Sequence, residues 1–313
     1  MARKRKKVYG MAPLPFQGQK RMWKSEFIEI VQSLPDDTVV VDLFGGSGLL
    51  SHFAKDTNNK LRVIYNDYDD YTNRLAHVHD TNEILGKIRE LCRHLPRTER
   101  LPNEVEEQIR SVLREAYDKY GYVDFYTISR SIVFSSRAVS SFEEVLRSGY
   151  YNRIVRNPYN TKGYLEGVEV VRDDYEVVLN KYKDLPNVIF LIDPPYLSTD
   201  NASYCNEEPY GLAWNIKLLD NIRHSKYILF TSERSEILDL MKAVRNGAML
   251  DGVEVRTRTY GVGTKSLRGT AARDMIMVDD VMILNINGAK TGKNREAKKG
   301  GFWSFVRGLF SKL

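Results

Sequence analysis

Asp193-Pro-Pro-Tyr196 is the run whose residue types and order most directly define a reaction. It follows Val188-Ile-Phe-Leu-Ile192, an apolar, β-branched stretch that reads as a strand. Two prolines directly after a strand remove two backbone donors and fix φ twice, so Pro194 and Pro195 hold a rigid turn at a sheet's C-terminal edge. An exocyclic amine has two hydrogens to give. The Asp193 carboxylate and the Pro194 carbonyl can accept them while Tyr196 stacks on the base. Accepting both draws the nitrogen lone pair out of conjugation with the ring and makes the amine a nucleophile.

A second constellation lies upstream. Phe44-Gly-Gly-Ser-Gly48 follows the strand pattern Val39-Val-Val-Asp-Leu43 and precedes a helix start at Leu49. Small residues there let a ligand approach the backbone beside a helix N-terminus. Asp67 lies 19 residues beyond Gly48, at the end of the next strand, Leu61–Tyr65, and close to the offset of ~20 at which an acidic side chain reaches a ribose hydroxyl. The pair indicates an adenosine-containing ligand without distinguishing a nicotinamide cofactor from S-adenosylmethionine. The Asp-Pro-Pro-Tyr turn favours S-adenosylmethionine.

These residues need a sheet to hold them. Lys226–Phe230, Val253–Thr257 and Val281–Asn285 continue the strand series, with helical patterns between some of them, as at Ser235–Val244. Alternating strands and helices predict a doubly wound, Rossmann-like α/β sheet. The span between the second and third strands is too long for a connection within an α/β unit. It reads as an inserted domain over 72–185, mainly helical in its first half at Thr81–Arg93 and Glu104–Lys119, and richer in aromatic, Ser and Arg residues after Tyr122. The catalytic domain is then 8–71 with 186–285, and 286–313 is a tail.

With these parts in order, the sequence resembles the DNA N6-adenine methyltransferases of the α group, the Dam type. Phe16-Gln-Gly-Gln-Lys20, Asp42-Leu-Phe-Gly-Gly-Ser-Gly48, Asn66-Asp67, the insertion and Asp193-Pro-Pro-Tyr196 follow that family's sequence of motifs. The match runs over about residues 13–285, strong at the two main motifs and loose within the insertion. The resemblance implies site-specific methyl transfer from S-adenosylmethionine to a flipped-out adenine of double-stranded DNA. It places Phe16 and Lys20 in the cofactor pocket, Asp42, Phe44, Gly46 and Gly48 around the methionine part and adenosine, Asp67 on the ribose, and Asp193 on both cofactor and target amine. One departure is Gln19, where the family has glycine. Cytosine N4 is the nearest alternative target, and a non-catalytic DNA-binding regulator the nearest alternative class.

The formal net charge of +6 is unevenly distributed. Residues 1–7 carry five basic residues and 286–313 seven basic against one acidic; without both ends, 35 basic face 40 acidic residues. DNA binding must therefore rest on local clusters. Val255–Arg273 holds Arg256, Arg258, Lys265 and Arg268 with no acidic residue, and is expected to be a flexible basic loop that clamps phosphates. Thr127–Gly163 holds Arg130, Arg137, Arg153 and Arg156-Asn-Pro-Tyr159, where Arg156, Asn157 and Tyr159 resemble a family element able to read base edges. After a basic linker, Phe302–Leu313 forms an amphipathic pattern expected to dock on a protein partner or pack on the body, with a membrane surface as the alternative. Two cysteines supply neither a disulfide framework nor a zinc cluster, so no metal is expected. The compartment expected is the cytoplasm, in association with DNA and in the setting of restriction–modification.

Overall fold

The computed structural model describes residues 9–134, 137–139, 141–194, 212–232, 253–263 and 275–286. The expected Ser235–Val244 helix and the 302–313 pattern lie outside them.

Strands β1 (Val39–Asp42), β2 (Arg62–Asn66), β3 (Glu169–Val171), β4 (Val188–Ile192), β5 (Tyr227–Ser232), β6 (Glu254–Gly263) and β7 (Met275–Asn285) form one sheet in the order β3-β2-β1-β4-β5-β7-β6. The pairs β2–β3, β1–β4 and β4–β5 are parallel, whereas β7 runs antiparallel to both β5 and β6. Helices punctuate the strands, as the alternating pattern predicts.

By contact the chain divides into two compact units. The first takes the chain up to Asp36 and Gly45–Asp173; the second takes Asp37–Phe44 and the described residues from Asp174 onward.

In the first unit, α1 (Lys24–Ser33) buries Phe27, Ile30 and Val31, the i, i+3, i+4 face of an amphipathic helix. Helix α2 (Leu49–Thr57) is buried from Leu49 through Ala54. The short α3 (Tyr71–Ala76) leads into α4 (Val78–Leu91), α5 (Asn103–Tyr120), α6 (Phe125–Ile132) and α7 (Phe142–Arg147). Ile84, Leu85, Ile88, Ile109, Leu113, Ile128, Ile132 and Tyr150 meet in one core, so the expected helical segments at 81–93 and 104–119 close on each other. Side-chain caps and a left-handed glycine set the helix ends. Asp124 accepts from Thr127 N at 3.0 Å, Ser141 Oγ accepts from Glu144 N at 3.2 Å, and Gly121, at φ 66°, ends α5.

In the second unit, every residue of β4 is buried, as expected of a central parallel strand covered on both faces. Helix α8 (Tyr175–Tyr182) precedes β4, and α9 (Leu212–Ile222) follows with Leu218, Leu219 and Ile222 in the core. The ladder between β6 and β7 runs from Glu254 opposite Leu284 to Gly263 opposite Met275. This bears out the strand expected at 253–257 and corrects the expected basic loop for residues 258–263, which continue it. A ten-residue run of paired backbone satisfies more donors and acceptors than a loop would, and Val255, Thr257 and Thr259 favour the extended backbone.

Candidate active site

The first unit contains Phe16, Lys20, Gly46, Gly48 and Asp67, and it brings Phe16 to the glycine turn and links that turn to Asp67. The Leu14–Lys20 segment is fixed to the start of α3. Tyr71 Oη accepts from Leu14 N at 3.0 Å and donates to Leu14 O at 3.1 Å, and Arg74 Nη2 donates to Pro15 O at 2.9 Å. Phe16 is thereby set edge-on to the Tyr71 ring, with centroids 5.7 Å apart. Gln19 uses its side chain to close the loop: Ala12 N donates to Oε1 at 2.9 Å and Nε2 donates to Phe16 O at 3.2 Å. The departure from glycine thus has a structural role here. Lys20 is 6% exposed and its ammonium donates to Gly18 O at 2.9 Å.

The turn after β1 is tight, with Gly48 N donating to Gly45 O at 2.7 Å, and left-handed at Gly46 (φ 48°) and Gly48 (φ 71°). A Cβ on Gly46 would stand 2.8 Å from the Phe16 ring. Gly46→Ala is therefore expected to cost roughly 1–2 kcal/mol in backbone strain and to push Phe16 from its seat; thermal denaturation against wild type checks the first and Phe16 ring NMR shifts the second.

Asp67 is buried and its carboxylate is heavily used. Oδ1 accepts from Tyr71 N at 2.7 Å, and Oδ2 accepts from Thr72 N at 2.9 Å and from the Thr72 hydroxyl. The Tyr65 hydroxyl lies 2.8 Å from Oδ1 and 2.6 Å from Gly46 O, so its one hydrogen sits between two acceptors and couples the glycine turn to Asp67. Asp67 therefore holds the start of α3, and a ribose hydroxyl would join or displace partners already present.

Two residues on, burial first and the Asp67 charge second push the Asp69 carboxyl up to about 6, against the pull of Arg74 and Arg172. A carboxyl raised in the folded state contributes stability that is complete below its unfolded pKa and lost as the pH rises through about 6. Asp69→Asn is expected to stabilise the protein at pH 7.5 by on the order of 2 kcal/mol. That gain should narrow at pH 4.5, and thermal unfolding at the two values reads the difference.

In the second unit, the parallel register puts Asp42 opposite Leu191, and Leu43 N donates to Leu191 O at 3.0 Å. The ends of β1 and β4 thus leave the sheet side by side, one toward Phe44 and the other toward Asp193. Phe44 packs in an aromatic trio with Tyr175 at 5.1 Å and Trp214 at 5.8 Å. Asp42 is 1% exposed, Pro194 is buried, and Asp193 is half-buried. Pro195 and Tyr196 lie outside the described residues.

Among the expected DNA contacts, Arg130 is on the last turn of α6, Arg137 pairs with Glu144 at 2.8 Å, and Arg153 is half-buried. Arg156 and Asn157 are exposed. Tyr159 packs against the helical core, and its backbone is clamped by Asn82, which accepts from Tyr159 N at 2.8 Å and donates to Tyr159 O at 2.9 Å. Arg256, whose Nε donates to Glu254 at 2.7 Å, and Arg258, opposite Asp280, are on β6. Lys265 and Arg268 lie outside the described residues. Tyr65, Tyr71, Arg74 and Asn82 went unforeseen, since only their tertiary contacts mark them out.

Parallel strands joined by helices, with an antiparallel β7 between β5 and β6 and a glycine turn after β1, define a Rossmann-like methyltransferase fold. The profile of the family described as D12 class N6 adenine-specific DNA methyltransferase matches residues 16–226, and the chain belongs to that family. A protein of Haemophilus influenzae named "Putative methyltransferase" is 37% identical over 241 residues, covering 74% of this chain and 79% of that one. Two solved structures are also similar. A precorrin-6y C5,15-methyltransferase from Geobacter metallireducens has a TM-score of 0.37 at 13% identity, covering 90% of this chain and 99% of its own. A precorrin 8W decarboxylase from Methanobacterium thermoautotrophicum has a TM-score of 0.35 at 11% identity, covering 87% and 92%.

The protein is thus an enzyme that methylates adenine in DNA, with DNA as substrate and a methyl donor as co-substrate. Among the described residues there is no group of three or more His, Cys, Asp or Glu placed to hold a metal ion. No described helix is long and apolar enough to cross a membrane.

Proposed function

We propose that the methyl donor is S-adenosylmethionine and that the enzyme acts site-specifically on an adenine turned out of the duplex. The observation that carries this reading is Gly46 against the Phe16 ring, with the buried Lys20 four residues beyond Phe16 in the chain. A buried ammonium, Lys20, suits the donor's carboxylate, and an aromatic ring, Phe16, sits over a glycine that only a side-chain-free residue can fill. By the family resemblance, Phe16, Lys20, Gly46, Gly48 and Asp67 of the first unit and Asp42, Phe44 and Asp193 of the second hold the donor.

S-adenosylmethionine supplies a methyl group on a sulfonium, whose loss leaves a neutral thioether. The protein's part is to position and to accept. Asp193 and the Pro194 carbonyl take the two amine hydrogens, Tyr196 stacks on the base, and the surplus proton leaves through Asp193 to solvent. The helical part of residues 72–185 reads the target, with Arg130, Arg137, Arg153, Arg156 and Asn157 toward the DNA and Tyr159 holding the loop that carries Arg156. Arg256, Arg258, Lys265 and Arg268 neutralise phosphates.

Incubation with unmethylated plasmid and labelled S-adenosylmethionine, digestion to nucleosides and mass spectrometry tests the reading. Labelled N6-methyladenine is expected. N4-methylcytosine would correct the base, and no label despite donor binding would overturn the catalytic assignment.

A further inference from the structure

Away from the motif residues, the helical part of the first unit contains an open cleft of about 490 Å³ lined by Arg100, Phe134, Arg137, Glu144, Arg147 and Tyr151 among others. Short bridges between Arg100 and Tyr151 and between Val133 and Tyr150 bring its walls together, and Tyr151 N donates to Ile132 O at 2.6 Å. We propose that this cleft seats a sugar-phosphate segment of the DNA flanking the target adenine, with the guanidinia on the phosphate and the aromatic pair against the deoxyribose. The proposal rests on the DNA methyltransferase reading and adds a contact surface to it.

Three features select this occupant. The first is charge: three arginines face one glutamate, so the cleft favours an anion although the chain between its two basic ends is slightly acidic overall. Arg147 is exposed on the last turn of α7 and has no acidic partner among the described residues; Arg100, 64% exposed, reaches Glu106 only at 3.5 Å. Guanidinium forks match phosphate oxygens in geometry as well as charge.

The second feature is an apolar floor. Phe134 is 51% exposed, and its ring centroid lies 5.1 Å from that of Tyr151. An exposed phenyl ring beside arginines suits a ligand with an anionic group next to a non-polar ring, as a nucleotide unit has. The third is a built-in competitor: Glu144 holds Arg137 at 2.8 Å, and phosphate would take that guanidinium in exchange.

The test uses the full chain with Arg100→Gln/Arg147→Gln, Phe134→Ala and Glu144→Gln, and reads DNA binding and methyl transfer on one unmethylated plasmid fragment between about 50 and 200 mM salt. The arginine pair should raise the Kd and KM for DNA about tenfold and reduce the slope of log Kd against log salt by about two. Phe134→Ala should raise KM with the slope kept. Glu144→Gln should tighten binding a few-fold; Gln keeps the backbone cap on Ser141. These losses appear in KM and slope rather than kcat. Thermal melts confirm that each variant is folded.

Wild-type Kd, KM and slope in the arginine pair, alongside an active wild-type enzyme, would overturn the inference and leave the enzyme assignment standing. The same result together with lost binding of an acidic peptide would assign the cleft to a protein segment instead. Failure of the wild type to methylate would sink the catalytic reading, while the salt slope would still decide the cleft.

Discussion

Asp193→Ala is expected to lower the rate of methyl transfer at least about 10³-fold, a loss of roughly 4 kcal/mol of transition-state stabilisation, while DNA binding is largely kept. An aniline-like amine is a poor nucleophile because its lone pair is spread over the ring, and in the proposed reaction the carboxylate is the acceptor that localises it. The position leaves little room for a substitute. Asp193 follows a fully buried strand directly, and the next residue, Pro194, is buried, so the backbone that carries the carboxylate is firmly placed. Single-turnover measurement with saturating donor separates this from a binding defect. Asp193→Asn, which keeps a carbonyl acceptor but loses the charge, should retain more of the rate than Ala. Full turnover by the Ala variant would remove Asp193 from the mechanism.

Arg74→Ala is expected to destabilise the protein by about 3–5 kcal/mol, because it leaves a buried carboxylate without its counter-charge. Arg74 Nε lies 3.2 Å from both oxygens of Asp124, whose side chain is fully buried. The guanidinium also donates to Thr127 Oγ1 at 2.9 Å and stacks over the Tyr126 ring at 4.6 Å. Its bond to Pro15 O makes the loss functional as well as structural, since the segment that carries Phe16 is released. Urea unfolding should show the stability loss, and donor titration of the folded fraction should show weaker binding. Asp124→Asn in the same background should recover part of the stability, giving a measurable coupling energy. Additive single effects would mean that the pair is not an interacting unit.

The sheet's central strands were legible because each is a compact apolar run bounded by turn residues. Edge strand β3 was not, since Glu169-Val-Val171 is three residues with two exposed, and its pairing with β2 is a tertiary fact. The alternation from Glu254 through Thr259 did carry a strand signal. The glycines and arginines beyond Thr257 masked its continuation, although arginines suit a sheet edge, where charge discourages further pairing. Short helices α6 and α7 start at side-chain caps, Asp124 and Ser141, that a search for long apolar periodicity does not register.

In the site, the glycine turn and Asp67 were named from motif spacing and Phe16 from the family resemblance, and the structure brings them together. The side chains that hold them there, Tyr65, Tyr71 and Arg74, have no spacing signature, because each acts on a partner fixed only once the chain has folded.

Tyr9 donates from one hydroxyl toward Asn160 O and Lys162 O, both at 3.0 Å, and its ring packs on His52 and Tyr164. During synthesis, this means that Tyr9 cannot complete these contacts until residue 164 has been made. At an elongation rate of roughly 5–20 residues per second that interval is roughly 8–30 s. Throughout it Leu14 and Phe16 stand ready for an early Tyr71, while the stretch before them is held back by a segment still inside the exit tunnel. Tyr9 therefore completes its packing only late in the synthesis of its unit.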